Sequence, residues 1–291
     1  MVRKSTLLII GCGDVGLRVV RMLCGRLRVI ALTSSPARCD ALRAAGVRPV
    51  VGNLDDASTL GRLAGLADAV LYLAPPPGSG ESDPRIRSLL ATLSRRTLPT
   101  CVVYASTTGV YGDCRGERVV ETRPLNATTD RARRRVDAES HLRAWGRARR
   151  VRVTTLRIPG IYANDRDGGR PQDRVRRGTP VLAAEDDGYT NHIHADDLAR
   201  ACIAALWRGR PQRVVNVCDD SDLKTGDYYD LVADLSGLPR PARVTRAQAG
   251  EHFSVAQWSF LNESRRLSNA RMKHELRLKL MRPTVREGLA D

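Results

Sequence analysis

Short apolar runs alternate with stretches of helical periodicity through the first half of the chain. Residues 6–10, 28–32, 47–51, 69–73 and 101–105 are apolar runs bounded by turn residues and predict strands. Residues 15–23, 37–45, 57–66 and 84–94, lying between them, predict helices. Strict strand–helix alternation implies a parallel sheet with helices on both faces. A long helix is expected over 130–148, where Ala138, Leu142 and Trp145 recur at i, i+4 and i+7, and a sixth strand over 151–156. Beyond Arg157 the pattern loosens. Pro159-Gly160 and 165–171 are loop-like, 196–207 is helical, 214–217 is a strand, and 225–235 and 269–276 are helices of a smaller, irregular part. No internal repeat or low-complexity tail is present. The expected division is 1–157 for a doubly wound domain and 158–291 for a C-terminal region. That region returns a helix and a strand to the sheet at about 194–217 and forms a substrate-side cap.

The first strand runs into Gly11-Cys12-Gly13-Asp14-Val15-Gly16, a GxGxxG pattern in strand–turn–helix context. Gly11 permits the tight turn, Gly13 lets the backbone approach a pyrophosphate, and Gly16 lets helix and strand pack closely. The helix opening at Asp14 and Val15 offers free N–H groups and a partial positive charge to phosphates. This is the fingerprint of a Rossmann-type α/β fold that binds a dinucleotide. Cofactor choice is read at the end of the second strand. An NAD site places Asp or Glu there, but this chain has Leu32-Thr33-Ser34-Ser35-Pro36-Ala37-Arg38, with no acid before Asp40. Thr33, Ser34 and the Arg38 guanidinium suit a 2′-phosphate, so NADP is expected over NAD. The alternative is that Arg38 is a solvated first-turn residue of the next helix.

Composition narrows the setting. The 291 residues are 42% hydrophobic, enough for a core that folds unaided. No run approaches the roughly 18 apolar residues of a membrane span. Met1-Val2-Arg3-Lys4-Ser5 leads straight into the first apolar run and reads as a strand start rather than a signal peptide. Cysteines at 12, 24, 39, 101, 114, 202 and 218 form no CxxC pair, and their odd number fits a reduced, cytoplasmic compartment. The net charge of +16 raises the question of nucleic acid. However, 44 arginines stand against 4 lysines, a skew that fits coding bias in a GC-rich genome, and they are spread without aromatic interleaving. A basic surface receptive to anionic cofactors is the expected consequence, not a nucleic-acid partner. His192 and His194 alternate on a strand ahead of Asp196 and Asp197, but no third histidine or cysteine completes a zinc set. The aspartates are expected to cap a helix start, and no metal is expected.

Four segments carry a family resemblance. They are Gly11–Gly16, Tyr104-Ala105-Ser106-Thr107-Thr108-Gly109-Val110-Tyr111-Gly112-Asp113, Leu156-Arg157-Ile158-Pro159-Gly160-Ile161-Tyr162 and His192-Ile193-His194-Ala195-Asp196-Asp197-Leu198-Ala199. In this order they resemble the atypical extended short-chain dehydrogenase/reductases of the NAD-dependent epimerase/dehydratase, YeeZ-like type, over nearly the whole chain. The resemblance implies that Asn53 (usually Asp) and Leu54 border the adenine, that Leu73, Ala74 and Pro75 pass over the cofactor, and that Pro159 and Ile161 flank the nicotinamide. Ser106 and Thr107 end the fifth strand, where ligands collect, and Thr107 matches the family's substrate-orienting hydroxyl residue.

The family's chemistry rests on a YxxxK helix, whose tyrosine exchanges a proton with the substrate oxygen. Aligning Val136-Asp137-Ala138-Glu139 with the end of that helix puts Arg131 at the tyrosine and Arg135 at the lysine, on one helical face. Arg135 can still donate to ribose hydroxyls. Arg131 cannot replace a phenol, because guanidinium stays protonated and accepts no hydrogen bond. Tyr111 and Tyr162 are the candidates to enter the pocket instead, with packing as their alternative role. The arginines at 131 and 133–135 form either a nucleic-acid stripe or, as expected, a solvated face with one cofactor contact. Gly226, Tyr228 and Tyr229 either line a substrate pocket or serve as helix-start and core residues. The expected function is an NADP(H)-binding oxidoreductase or epimerase acting on an unknown small carbonyl or alcohol. The alternative is a non-catalytic NADP(H) sensor. Related proteins pair through helices flanking the sheet, so a homodimer is open.

Overall fold

The structure, a computed structural model, describes residues 5–23 and 25–290. The reading of Met1–Lys4 and the cysteine at 24 lie outside the described residues. Seven parallel strands form the central sheet: β1 (Thr6–Ile10), β2 (Arg28–Thr33), β3 (Arg48–Val51), β4 (Ala69–Tyr72), β5 (Cys101–Thr107), β6 (Arg152–Ile158) and β7 (Arg213–Asn216). Their order is β7-β6-β5-β4-β1-β2-β3, with every pairing parallel. The chain steps outward from β1 through β2 and β3, then returns to the other side of β1 at β4. That reversal opens a crevice at the carboxyl ends of β1 and β4, where ligands bind in such sheets.

Strand alternation sorts the core into two layers. Leu7 and Ile9 pack with helices α1 (Asp14–Leu23) and α5 (Ala195–Arg208). Leu8 and Ile10 pack on the opposite face with α3 (Pro84–Leu93) and α4 (Asp130–Arg149). Thr129 caps α4 by accepting from the Ala132 N–H at 3.2 Å, and α4 buries Ala138 and Leu142. All six described cysteines are free and buried.

Two predicted helices change form. Residues 37–45 split into a 3-10 turn, Pro36–Arg38, and a short helix α2, Cys39–Ala44. Residues 57–66 form a 3-10 stretch, Ala57–Leu63. Asp56 accepts hydrogen bonds from both the backbone N–H and the hydroxyl of Ser58, and Gly61 weakens further propagation. The C-terminal region contributes α5 and β7 to the main sheet. It also contributes a layer in which Gly160–Tyr162 pairs with His192–His194, Tyr189–Thr190 pairs with Leu223–Lys224, and helix α6 (Thr225–Leu235) packs near Tyr162. No helix among the described residues is long and apolar enough to cross a membrane.

Candidate functional site

The glycine turn is held by geometry that a side chain would spoil. Gly11 has φ +82°, and a Cβ there would lie 2.6 Å from the Ala74 backbone nitrogen. Gly13 faces open space, and a Cβ on Gly16 would meet the Cys12 sulfur at 3.2 Å. Burial beside this turn pushes the Cys12 thiol up to about 11, so it stays protonated.

Two cavities flank the turn, and Gly11 lines both. The first, about 410 Å³, is lined by Thr33, Ser34 and Arg38 from the end of β2, and by Asn53, Leu54, Ala74 and Pro75. The exposed Arg38 guanidinium donates to the Cys12 carbonyl at 2.8 Å, so it reaches back over the turn. Arg85 and Asp55, which sequence reasoning missed, form a two-pronged pair at 2.7 and 2.6 Å on this wall. The Arg85 guanidinium pulls the Asp55 carboxyl below the usual carboxylate range. The pair joins residues 30 positions apart and carries no motif.

The second cavity, about 300 Å³, is lined by Gly13, Asp14, Val15 and Gly16, by Leu73, Ser106 and Thr107, and by Arg131, Arg135, Pro159 and Ile161. Its wall also includes Arg166, whose guanidinium pairs with Asp14 at 3.2 Å. Asp14 lies on the buried Arg18 as well, at 3.1 Å, so this carboxylate beside the phosphate-facing turn is neutralised twice. Arg135 donates through Nη1 to the Tyr104 hydroxyl at 3.0 Å and to the Ala105 carbonyl at 2.9 Å. It therefore braces the strand end as well as lining the cavity.

Two candidates for the pocket, Tyr111 and Tyr162, need correction. Tyr111 is 1% exposed, lies beneath the Arg157 guanidinium and donates to the Asn216 side chain at 2.7 Å. Burial pushes its pKa up, and it reaches neither cavity. Tyr162 is buried too and donates to the Thr284 carbonyl. Tyr111 closes a 3-10 turn and Tyr162 ends a short strand, and both rings point inward, away from the two cavities. Ser106 lines the cavity, but its hydroxyl donates to Glu139 at 2.6 Å. Glu139 is itself clamped by Arg157 at 2.7 Å, with both side chains 2% exposed.

The histidine–aspartate segment also differs from expectation. The His194 ring, not an aspartate, caps α5 by accepting from the Asp196 N–H. Asp196 instead receives Arg18 at 2.6 Å, and Asp197 accepts the backbone N–H groups of Met281 and Arg282. His192 stacks on Tyr228 with ring centroids 3.8 Å apart, which makes both packing residues. Tyr229 lies under the Arg174 guanidinium. Among the described residues no cluster of three metal-ligating side chains occurs.

Arg131 lies where the cofactor-side cavity meets a third space, about 300 Å³, that includes Tyr189, Thr190, Phe260 and Glu263. Thr107 and Pro159 line both spaces as well. The Thr107 oxygen accepts from the Gly109 N–H, which leaves its O–H free to donate. Arg131 stacks over the Phe260 ring at 4.7 Å. Partial desolvation, reinforced by the Arg135 charge, lowers its pKa from the usual guanidinium value. Sequence reasoning missed this third space, because its residues are drawn from β5, α4, the end of β6 and separate elements of the C-terminal region with no recognisable spacing.

Comparison with known proteins matches the geometry. The model of the NAD dependent epimerase/dehydratase family matches residues 7–218. A functionally unknown conserved protein from Silicibacter pomeroyi is 29% identical, with a TM-score of 0.79, covering 98% of this chain and 97% of that one. A UDP-glucose 4-epimerase from Thermotoga maritima, solved with UDP-glucose, shares 18% identity and a TM-score of 0.79 over 98% of this chain and 96% of that one. A nucleoside-diphosphate-sugar epimerase from Pseudomonas aeruginosa shares 16% identity and a TM-score of 0.80 over 98% and 95%. At these identities the last two show likeness of fold. No curated protein is matched. With its glycine turn, its switch-point crevice and a family match across most of its length, the chain belongs to the NAD dependent epimerase/dehydratase family.

Proposed function

We propose that this protein binds NADP(H) across the crevice and acts, as an oxidoreductase or epimerase, on a small carbonyl or alcohol. The observation carrying the reading is the glycine turn with a cavity on either side, sharing Gly11 and sized for the two halves of a dinucleotide. Gly13 faces open space, which leaves room for a pyrophosphate to approach the backbone. Support for the 2′-phosphate comes from Thr33, Ser34 and Arg38 at the end of β2, and from the pairing of nearby Asp55 with Arg85. Solved relatives include a dTDP-glucose 4,6-dehydratase and a UDP-glucuronic acid 4-epimerase in complex with NAD, so the preference is a departure that needs its own test.

When bound, the dinucleotide would supply hydride chemistry at its nicotinamide. Thr107 donates its hydroxyl proton to a substrate oxygen and orients it. Arg135 holds the strand end and offers charge to the ribose side. Arg131 stabilises negative charge but takes no proton, since guanidinium has no acceptor. Calorimetric titration with NADPH and NADH tests the reading: NADPH is expected to bind at least about tenfold more tightly. Equal or preferential NADH binding overturns the 2′-phosphate assignment, and no binding of either overturns the whole.

A second reading, a non-catalytic NADP(H) sensor, is favoured by one observation: among the described residues no tyrosine lines the cofactor-side cavity, and Tyr189 lines only the third space. A broad carbonyl panel separates the two. Binding of NADPH without its oxidation by any carbonyl supports the sensor.

A further inference from the structure

Arg131 lines two of the cavities with its guanidinium uncommitted. Among the described residues no hydrogen bond or ion pair holds its guanidinium, although the surrounding arginines are engaged. Arg135 is spent on Tyr104 and Ala105, and Arg265 on Glu263 at 2.7 Å and on the Gly112 carbonyl. The nearby carboxylate, Glu263, is thus already paired. The Phe260 ring supports one face of the Arg131 guanidinium and leaves its donor edge free.

Position sets what that edge meets. Thr107, Arg131 and Pro159 line both the cofactor-side cavity and the third space, whereas no glycine-turn residue lines the third. Arg131 therefore stands at the junction of the cofactor-side cavity and the third space, as Thr107 does. Arg131 is exposed at this junction, with like-charged Arg135 on one side and the Glu263 carboxylate, already paired with Arg265, on the other.

We infer that the third space is the substrate site and that the substrate carries a carboxylate or phosphate group, which the Arg131 guanidinium clamps beside the oxygen that Thr107 orients. A planar two-pronged donor matches either anion. The Thr190 side chain, on the same wall, has no partner among the described residues and is available to a substrate hydroxyl. This assignment rests on the cofactor reading above, and it places the substrate among small anionic carbonyls or alcohols.

The test begins with NADPH titration of the whole protein and of Arg131→Met and Arg131→Lys. Protein saturated with NADPH is then titrated with malonate, inorganic phosphate and uncharged malonamide. At least one anion is expected to bind about tenfold or more tightly than malonamide. Arg131→Met should lose about tenfold in anion affinity while keeping NADPH affinity within about twofold, and Arg131→Lys should recover part of the loss. The tighter anion tells carboxylate from phosphate. Anion binding unchanged in Arg131→Met, binding of neither anion, or displacement of NADPH by the anion would overturn the assignment. Failure of NADPH itself to bind sinks the cofactor reading instead, and anion titration without cofactor still tests Arg131.

Discussion

The glycine-turn end of the crevice and the Arg131 end are built by different means. At the first, the working parts are backbone: a left-handed Gly11, an open Gly13 and the N–H groups opening α1. At the second they are side chains, drawn from α4, from the ends of β5 and β6, and from loops up to Glu263. A backbone site must be contiguous in sequence and tolerates few residue types, so it leaves a motif. A side-chain site needs only convergence in space, and substitution of one member changes its chemistry without disturbing the fold.

The largest effect is expected where the two ends share a foundation. Glu139 holds both Ser106 and Arg157 in a nearly dry setting, so Glu139→Leu should leave the Arg157 charge unpaired and cost about 3–5 kcal/mol. Urea unfolding measures it, and a loss under about 1 kcal/mol would show that the pair contributes little. At the backbone end, Gly13→Ala should keep the fold, since a Cβ there meets open space, yet weaken NADPH about a hundredfold by filling the phosphate approach. Retained affinity would remove the phosphate approach from that position.

Legibility follows the same divide. The strands of the sheet and the glycine turn could be read because periodicity and local motif determine where they lie, whereas Asn53, Leu73 and Pro159 are expected from the family resemblance and line the two cavities. Residues 57–66 escaped because an Asp56 cap and Gly61 compete with α-helical bonding at a scale periodicity ignores. Tyr111 and Tyr162 misled because sequence places a residue near a strand end without saying which way its ring turns. The Arg85–Asp55 pair and the Phe260 shelf under Arg131 depend on loop paths that no pattern encodes.

Two smaller effects sharpen the contrast. Arg38→Ala should lower NADPH affinity about tenfold and leave NADH within about twofold. An equal loss for both would assign Arg38 to bracing the Cys12 carbonyl. In the C-terminal region, burial pushes the Asp219 carboxyl up to about 8. Its folded-state pKa lies above the unfolded one, so the folded protein retains the proton and stability falls as pH rises from about 4 to about 8. Asp219→Asn should therefore flatten the dependence of Tm on pH and raise stability at pH 8 by about 1 kcal/mol or more. A variant that tracks the parent at every pH would show the carboxyl to be ionised in the folded state.

Arg18 has a mechanical consequence. Only 3% exposed, it grips Asp14 on the helix that follows the glycine turn, Asp196 on α5, and Asp165 in the C-terminal loop at 2.5 Å. Prising the two halves of the molecule apart would strand this cation, a penalty on the scale of breaking a buried ion pair. The helix after the glycine turn, α5 and the loop at Asp165 are thereby tied to one another through one buried cation beside the crevice.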